Sequence, residues 1–380
     1  MFRRLFSTIS DKLKQRTQLL IAKSVHISYE GVPHEPEPYK KNTSNIKIIK
    51  KFLHKYLILK LYGQTKLEIK KINESQRVLW IYTGKRNFGD AIMDLSGRAL
   101  LKESNFNIDL FTLPNLHKLF AEDDIFKNVF SELREVKLEQ YDVILMSEYN
   151  LPSIRLKVKN FKDTKFACLF QFFYGPDRNQ TYFSYSAINE IFACGYLQSE
   201  IFSLSKPYLS SKLETIESAR HLTPADRFLA ISIGGIDLNR TYAHWQTVLE
   251  LLDRESDPQI PKEIVLLGSD NGLAAAGVLK KLGFGNLNIN SYVGELTLLQ
   301  SRAIIAQASL FIGCDGGLMH VAHTTNTPSV SLFSHREPPY LRLTERCYSL
   351  GIQSALHVSD IPPGKIVSAI TQQLREHADR

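Results

Sequence analysis

The chain has 380 residues, 43% of them hydrophobic, a length and composition that suit two packed α/β domains. Its four cysteines, Cys168, Cys194, Cys314 and Cys347, are widely spaced, with no C-x-x-C pair and no histidine cluster at zinc spacing. This argues against a metal site and for reduced thiols in a cytosolic protein. The net charge of +8 is unevenly spread: residues 1–71 hold 16 Lys or Arg against 5 Asp or Glu, so the remainder is slightly acidic. A nucleic-acid groove would spread Lys and Arg through the folded domains, so a nucleic-acid partner is not expected.

Within residues 1–71, MFRRLFSTISDKLKQRTQLLIAK interrupts every apolar run with a basic residue. It therefore offers neither a signal-peptide core nor a membrane span. Gly31 to Tyr39, with Pro33, Pro36 and Pro38, reads as a stiff linker. IKIIKKFLHKYLILKLY (Ile46 to Tyr62) places Ile49, Phe52, Leu53, Tyr56, Leu57 and Lys60 at helical intervals, with Ser44 as N-cap and Gly63 as stop. Such a basic amphipathic helix either lies on an anionic bilayer or packs its apolar side on the domain behind it.

From Arg77 the pattern alternates β and α. Strands are expected at 78–82, 108–112, 143–146 and 165–171, and a helix at 91–102. The loop TGKRNFGDAIMDLSGRAL (Thr83 to Leu100) lacks the G-x-G-x-x-G of a dinucleotide site, so a nicotinamide cofactor is disfavoured. Asp90 instead falls in the first turn of a helix, where its anion is stabilised and where it either caps or does chemistry. Lys85, Arg86 and Arg98, close by in sequence, either hold an acidic acceptor or are solvated surface charge. The aromatic run FQFFYGPDRNQTYFSYS (Phe170 to Ser186) reads as an acceptor platform or as inter-domain core. Around Leu204 to Ala225 the apolar period fades, which marks a domain break.

A second α/β set follows: strands at 228–233 and 264–268, helices at 243–254, 273–282, 296–307 and 365–377. Its most informative stretch is ASLFIGCDGGLMHVAHTTNTPSVSLF (Ala308 to Phe333): buried strand, acidic-glycine turn, short helix, buried strand. The turn then sits at the carboxyl end of a parallel sheet, where open α/β folds bind ligands. Gly316 and Gly317 let the backbone approach a ligand, and amides at the helix start can hold phosphate oxygens. His320 either turns back toward the same phosphates or is a satisfied structural residue. GGIDLNRTYAHW (Gly234 to Trp245) should face this turn, with Trp245 a core anchor and His244 a polar first-turn residue.

D-G-G-L-M-H-V-A with Pro328 closing the segment resembles the signature of glycosyltransferase family 9, the ADP-heptose:lipopolysaccharide heptosyltransferases, usually D-[ST]-G-x-x-H-x-A. Gly89-Asp90, the Gly234 to Trp245 run and the 264–268 strand fall in the order that family requires, so the resemblance spans roughly 77–333. It implies a GT-B fold with two Rossmann-like doubly wound domains facing a cleft: a basic extension over 1–71, an acceptor-binding domain over 72–215 and a nucleotide-sugar-binding domain over 216–380. It implies Asp90 as catalytic base, Arg240, Asp315, Gly316, Gly317 and His320 on the donor, and Lys85, Arg86 and Arg98 on the acceptor. The implied reaction is inverting transfer of heptose from ADP-heptose to the inner core of lipopolysaccharide or lipooligosaccharide. The implied place is the cytoplasm, on the anionic surface of the inner membrane. No D-x-D follows a strand, so neither metal nor cofactor is expected. Two departures stand out: Gly316 replaces the family's Ser or Thr, and Gly272 falls where an acidic residue is usual, which leaves open a different nucleotide sugar. A more distant alternative is a non-catalytic basic binder of membrane or nucleic acid.

Overall fold

A computed structural model of the chain describes residues 14–23, 29–34, 44–171 and 178–378. Pro36 and Pro38 of the expected linker and residues 172–177 of the aromatic run lie outside them.

Helix α1 (residues 14–23) precedes α2 (Asn45–Leu61), which matches the expected helix. Ser44 caps it by accepting the Lys47 amide hydrogen bond, and Gly63 (φ +66°) follows it in the left-handed region that glycine adopts without strain. The buried face is Ile48, Phe52 and Leu59, with Leu57 and Lys60 exposed. It is rotated from the predicted face because Leu59 packs into the core of the first sheet beside Leu79, Ile81 and Phe166. Ile46 and Leu61, on the far side, stay about 80% exposed.

The first domain is a five-stranded parallel sheet. In chain order it comprises β1 (Arg77–Tyr82), α3 (Phe88–Asp94), β2 (Asn107–Thr112), α4 (Pro114–Phe120), β3 (Val129–Phe130), β4 (Val143–Met146), α5 (Leu151–Asn160) and β5 (Lys165–Cys168). The strand order β3-β2-β1-β4-β5 reverses between β1 and β4. Near-continuous apolar strands such as RVLWIY suit a sheet covered on both faces. The helix expected over 91–102 stops at Asp94 and continues as a 3₁₀ turn over Ser96–Leu101. There Gly97 lies against the Ser184 backbone, leaving no room for a Cβ, and its amide donates to Ser184 Oγ at 2.9 Å.

Three helices link the sheets: α6 (Gln180–Ile191), α7 (Gln198–Leu204) and α8 (Leu213–Arg220). The segment 204–225 thus contains α8, which packs on α11 below. Among its residues Ala219 alone is fully buried, so no apolar period betrays it. The described part of the aromatic run is core: Phe170 and Phe183 are buried and stacked with centroids 4.6 Å apart, and Arg178 lies over the Phe183 ring.

The second sheet follows as β6 (Phe228–Ser232), α9 (Trp245–Arg254), β7 (Glu263–Leu267), α10 (Leu273–Lys281), β8 (Asn288–Ser291), α11 (Leu298–Ile305), β9 (Leu310–Cys314), α12 (Gly317–Ala322), β10 (Ser329–Phe333), β11 (Ser349–Gln353) and α13 (Pro363–Glu376). All six strands are parallel, in the order β11-β10-β9-β6-β7-β8, which reverses between β6 and β9. Trp245 is buried and packs edge-on to Tyr242, as a core anchor should. The two domains meet where α3 packs on α12, and one apolar cluster runs through both, including Ala91, Ile92 and Leu95 with Met319, Val321 and Ala322. Among the described residues no helix is long and apolar enough to cross a membrane.

Candidate active site

The reversal of strand order between β6 and β9 leaves a crevice at their carboxyl ends, the usual ligand position in an open α/β sheet. The loops leaving these paired strands carry Arg240 and Asp315. Gly234 (φ +91°) starts the first loop and comes so close to the next one that a Cβ there would meet Asn271 Oδ1 at 2.7 Å. Asp237 accepts the Asn239 amide and winds Leu238–Arg240 into a 3₁₀ turn that presents Arg240. The same crowding settles what occupies position 272: a Cβ on Gly272 would lie 2.7 Å from the Ile233 carbonyl oxygen. An acidic side chain has no space there.

Asp315 is only 2% exposed, at the end of β9, and is surrounded by His320 and two arginines. His320 Nε2 is 3.4 Å from Oδ1, Arg240 Nη2 3.5 Å from Oδ2 and Arg342 Nε 3.8 Å from Oδ1. At these separations the two arginine contacts are ionic, and neither carboxylate oxygen completes a hydrogen bond. Burial pulls the Asp315 carboxyl upward, but His320, Arg342 and Arg240 outweigh it and hold the group well below the usual carboxylate range. Glu337 closes the arrangement, 3.0 Å from Arg240 Nη2 and 2.5 Å from Arg342 Nη2. His320, on α12, is buried with Nδ1 unpaired. One turn on, burial pushes the His323 imidazole down to about 3, so it is neutral. Around Gly317 no other group lies within 4 Å of where a Cβ would sit, so the space beside its amide is open.

Across the domain junction, Gly89 abuts the His320 ring so closely that any Cβ would collide with it. Asp90 is therefore brought to the same crevice. It is half-buried in the first turn of α3 and accepts from Asn87 Nδ2 at 3.2 Å. Its charge is one of those that raise the Arg240 pKa, behind Asp315 and Glu337 and against the lowering effect of burial. Thus four segments distant in sequence converge: Gly89-Asp90, Arg240, Asp315 to His320, and Glu337 to Arg342.

The other expected residues divide. Arg86 is exposed near α4, its carbonyl accepting from Asn115. Lys85 is bound 2.7 Å from the buried Asp94, which also accepts from the Tyr82 hydroxyl at 3.0 Å. Burial raises the Asp94 pKa against the pull of Lys85. Arg98 corrects the expectation of an acceptor-facing cation. Its side chain is fully buried, paired with Asp123 at 2.5 Å and stacked over Phe120, Phe126 and Tyr208. Glu337 and Arg342 were missed. A signal for them existed, since the loop after β10 leaves the strand next to β9 and so opens on the same crevice.

Comparison with known proteins agrees with this geometry. The sequence profile described as glycosyltransferase family 9 (heptosyltransferase) matches residues 198–353. No curated protein matches the sequence. Among solved structures, the glycosyltransferase family 9 protein of Veillonella parvula superposes with a TM-score of 0.62 at 12% identity, covering 81% of this chain and 100% of its own. The Escherichia coli ADP-heptose LPS heptosyltransferase II gives 0.57 at 16% identity over 80% of this chain and 99% of its own. The E. coli heptosyltransferase WaaC with ADP gives 0.55 at 13% identity, covering 78% and 99%. At such identities these likenesses speak to the fold alone, and the profile speaks to residues 198–353. Residues 198–353 thus match the glycosyltransferase family 9 (heptosyltransferase) profile, and the chain shares the two-domain fold of these solved structures.

Proposed function

We propose that the chain transfers heptose, with inversion, from ADP-heptose to the inner core of lipopolysaccharide or lipooligosaccharide. The observation that carries this reading is the packing of Gly89 on His320, which brings Asp90 to the crevice held by Arg240 and Asp315. A base from one domain then faces a leaving-group site on the other that holds Arg240 and His320.

In the proposed reaction the Asp90 carboxylate takes the proton from an acceptor hydroxyl. The hydroxyl oxygen forms its bond to the anomeric carbon as the bond from that carbon to the diphosphate oxygen breaks on the opposite face. The departing nucleoside diphosphate gains charge, which Arg240, His320 and the amides of Gly316 and Gly317 stabilise. Asp315 contributes two buried carboxylate oxygens without hydrogen bonds, suited to accept from donor hydroxyls. On the acceptor side, Arg86 is the exposed cation left once Arg98 is committed to Asp123 and Lys85 to Asp94.

One observation favours a second reading, a transferase of the same fold using another sugar nucleotide. Gly272 has no room for the acidic side chain that family members usually carry there. A donor panel with mass-spectrometric detection, run with and without excess chelator, separates the two. ADP-heptose as the preferred donor, with turnover surviving the chelator, supports the first; preference for another nucleotide or sugar supports the second.

We further propose that α2 rests on the anionic inner-membrane surface on the cytoplasmic side. Its inner face is packed on the domain, while Ile46, Leu57, Leu61 and Tyr62 stand exposed among Lys47, Lys50 and Lys60. Each Lys near an anionic surface contributes about 1 kcal/mol.

A further inference from the structure

Around Asp315 two guanidinium groups and two carboxylates alternate in a closed ring. Arg240 touches Asp315 and Glu337, and Arg342 touches Glu337 and Asp315. The four side chains carry no net charge between them. A dianionic or trianionic diphosphate entering this ring therefore gains little until one carboxylate yields. The two carboxylates are not equivalent. Asp315 is walled in at the end of β9, whereas the Glu337 side chain is 22% exposed on the loop after β10. The amide of Glu337 bonds back to the Ser334 carbonyl at 3.2 Å, and its carboxylate bonds to the two arginines.

Arg342 is held differently. Buried Asn179, at the start of α6, donates to the carbonyls of Tyr340 at 2.8 Å and Leu343 at 2.9 Å, clamping the backbone on both sides of Arg342. On the opposite side Pro339 and Leu343 lie so close to Gly351 of β11 that a Cβ there would be within 3.0 Å of each. The arginine is thus fixed and its glutamate partner is the exchangeable member.

We infer that Arg342 is a second cation for the donor diphosphate, and that Glu337 is its internal counter-ion, which the diphosphate displaces. The inference rests on the nucleotide-sugar reading of this crevice and adds to it a binding residue and a selectivity device. With Glu337 in place, two guanidinium groups can face each other in the free protein without repulsion. An incoming ligand must replace a carboxylate at both arginines. A diphosphate spans both, whereas a monophosphate reaches one, so the ring selects for diphosphates.

The test is calorimetric titration of the full chain with ADP, AMP and adenosine, on wild type, E337Q, R342A and R342K, with thermal melts run alongside. E337Q should bind ADP on the order of tenfold more tightly and AMP more tightly still, narrowing the gap between them. R342A should weaken ADP by roughly tenfold and leave adenosine unchanged, with R342K in between because it keeps the charge but loses the two-pronged geometry. Should R342A melt early, R342K and E337Q carry the same comparison. ADP binding that E337Q weakens or leaves within twofold, at an unchanged melting temperature, overturns the proposal while the donor reading stands. ADP binding to none of the four proteins overturns both.

Discussion

Replacing Gly89 with Ala asks whether the domain junction does what its geometry implies. A Cβ at this position would lie 2.9 Å from His320 Nε2 and nearer still to Cδ2, whereas ordinary contact begins at 3.4 Å. The ring must move by about 1 Å, or α3 must back away from α12. Gly89 does not hold a left-handed backbone, so the substitution adds no backbone strain, and the crowding is set against a helix-propensity gain of about 0.5–1 kcal/mol. Overpacking of this kind costs about 1–3 kcal/mol, which should appear as a lowered melting temperature. The catalytic effect should be larger. His320 is buried beside Asp315 and in the proposed reaction holds the diphosphate, so shifting it loses a hydrogen bond to a charged ligand, about 1.5–3 kcal/mol or roughly 10- to 100-fold in affinity for the nucleoside diphosphate. Displacement of Asp90 relative to the donor costs turnover as well, where misplacements near 1 Å reach about 10²-fold. The assay is ADP titration together with kcat and KM for transfer. A Gly89→Ala protein within twofold of wild type in ADP affinity and kcat would refute the contact.

Asp90→Asn should lower kcat by 10²- to 10⁴-fold with ADP affinity nearly unchanged, because a base acts on the acceptor; turnover within twofold of wild type removes Asp90 from the mechanism. His323 is held neutral by burial, its pKa pushed down from 6.5 to about 3, so an unfolded chain takes up a proton that the folded one refuses. Its contribution is complete above pH 6.5 and falls as pH drops, by about 2 kcal/mol between pH 6.5 and 5. His323→Asn should flatten that part of a denaturant-measured stability profile, and an unaltered slope would contradict the assignment. Ile46→Glu with Leu61→Glu should leave the melting temperature unchanged but abolish sedimentation with anionic vesicles. By contrast, a chain starting near Ile72 should be destabilised, since it loses buried Leu59, worth about 1.5–3 kcal/mol. A fully stable truncated protein would show that α2 does not pack as described.

Much of the architecture was legible because parallel strands buried on both faces write themselves as apolar runs. Val143–Met146 and Ser329–Phe333 have the expected limits, and most other strands differ by a residue or two. What escaped lacks that signature. The strand Asn288–Ser291 is a polar edge, and Leu213–Arg220 is a largely solvent-facing helix. The crevice was legible where a motif follows a strand, as at Gly89-Asp90 and Asp315 to His320. It was not legible in Arg98, whose sequence neighbourhood suggests a cation near Asp90 while Asp123, Phe120 and Tyr208 draw it into the core. Glu337 and Arg342 belong to no motif, and the one signal for them is that their loop follows β10, the strand beside β9.

The most direct measurement is transfer by the purified full chain from ADP-heptose to a delipidated inner-core acceptor lacking heptose, with the anomeric configuration of the product read by NMR. The account predicts one added heptose of inverted configuration, formed by wild type and lost in Asp90→Asn. A product of retained configuration, or no heptose transfer alongside efficient transfer from another sugar nucleotide, would contradict it.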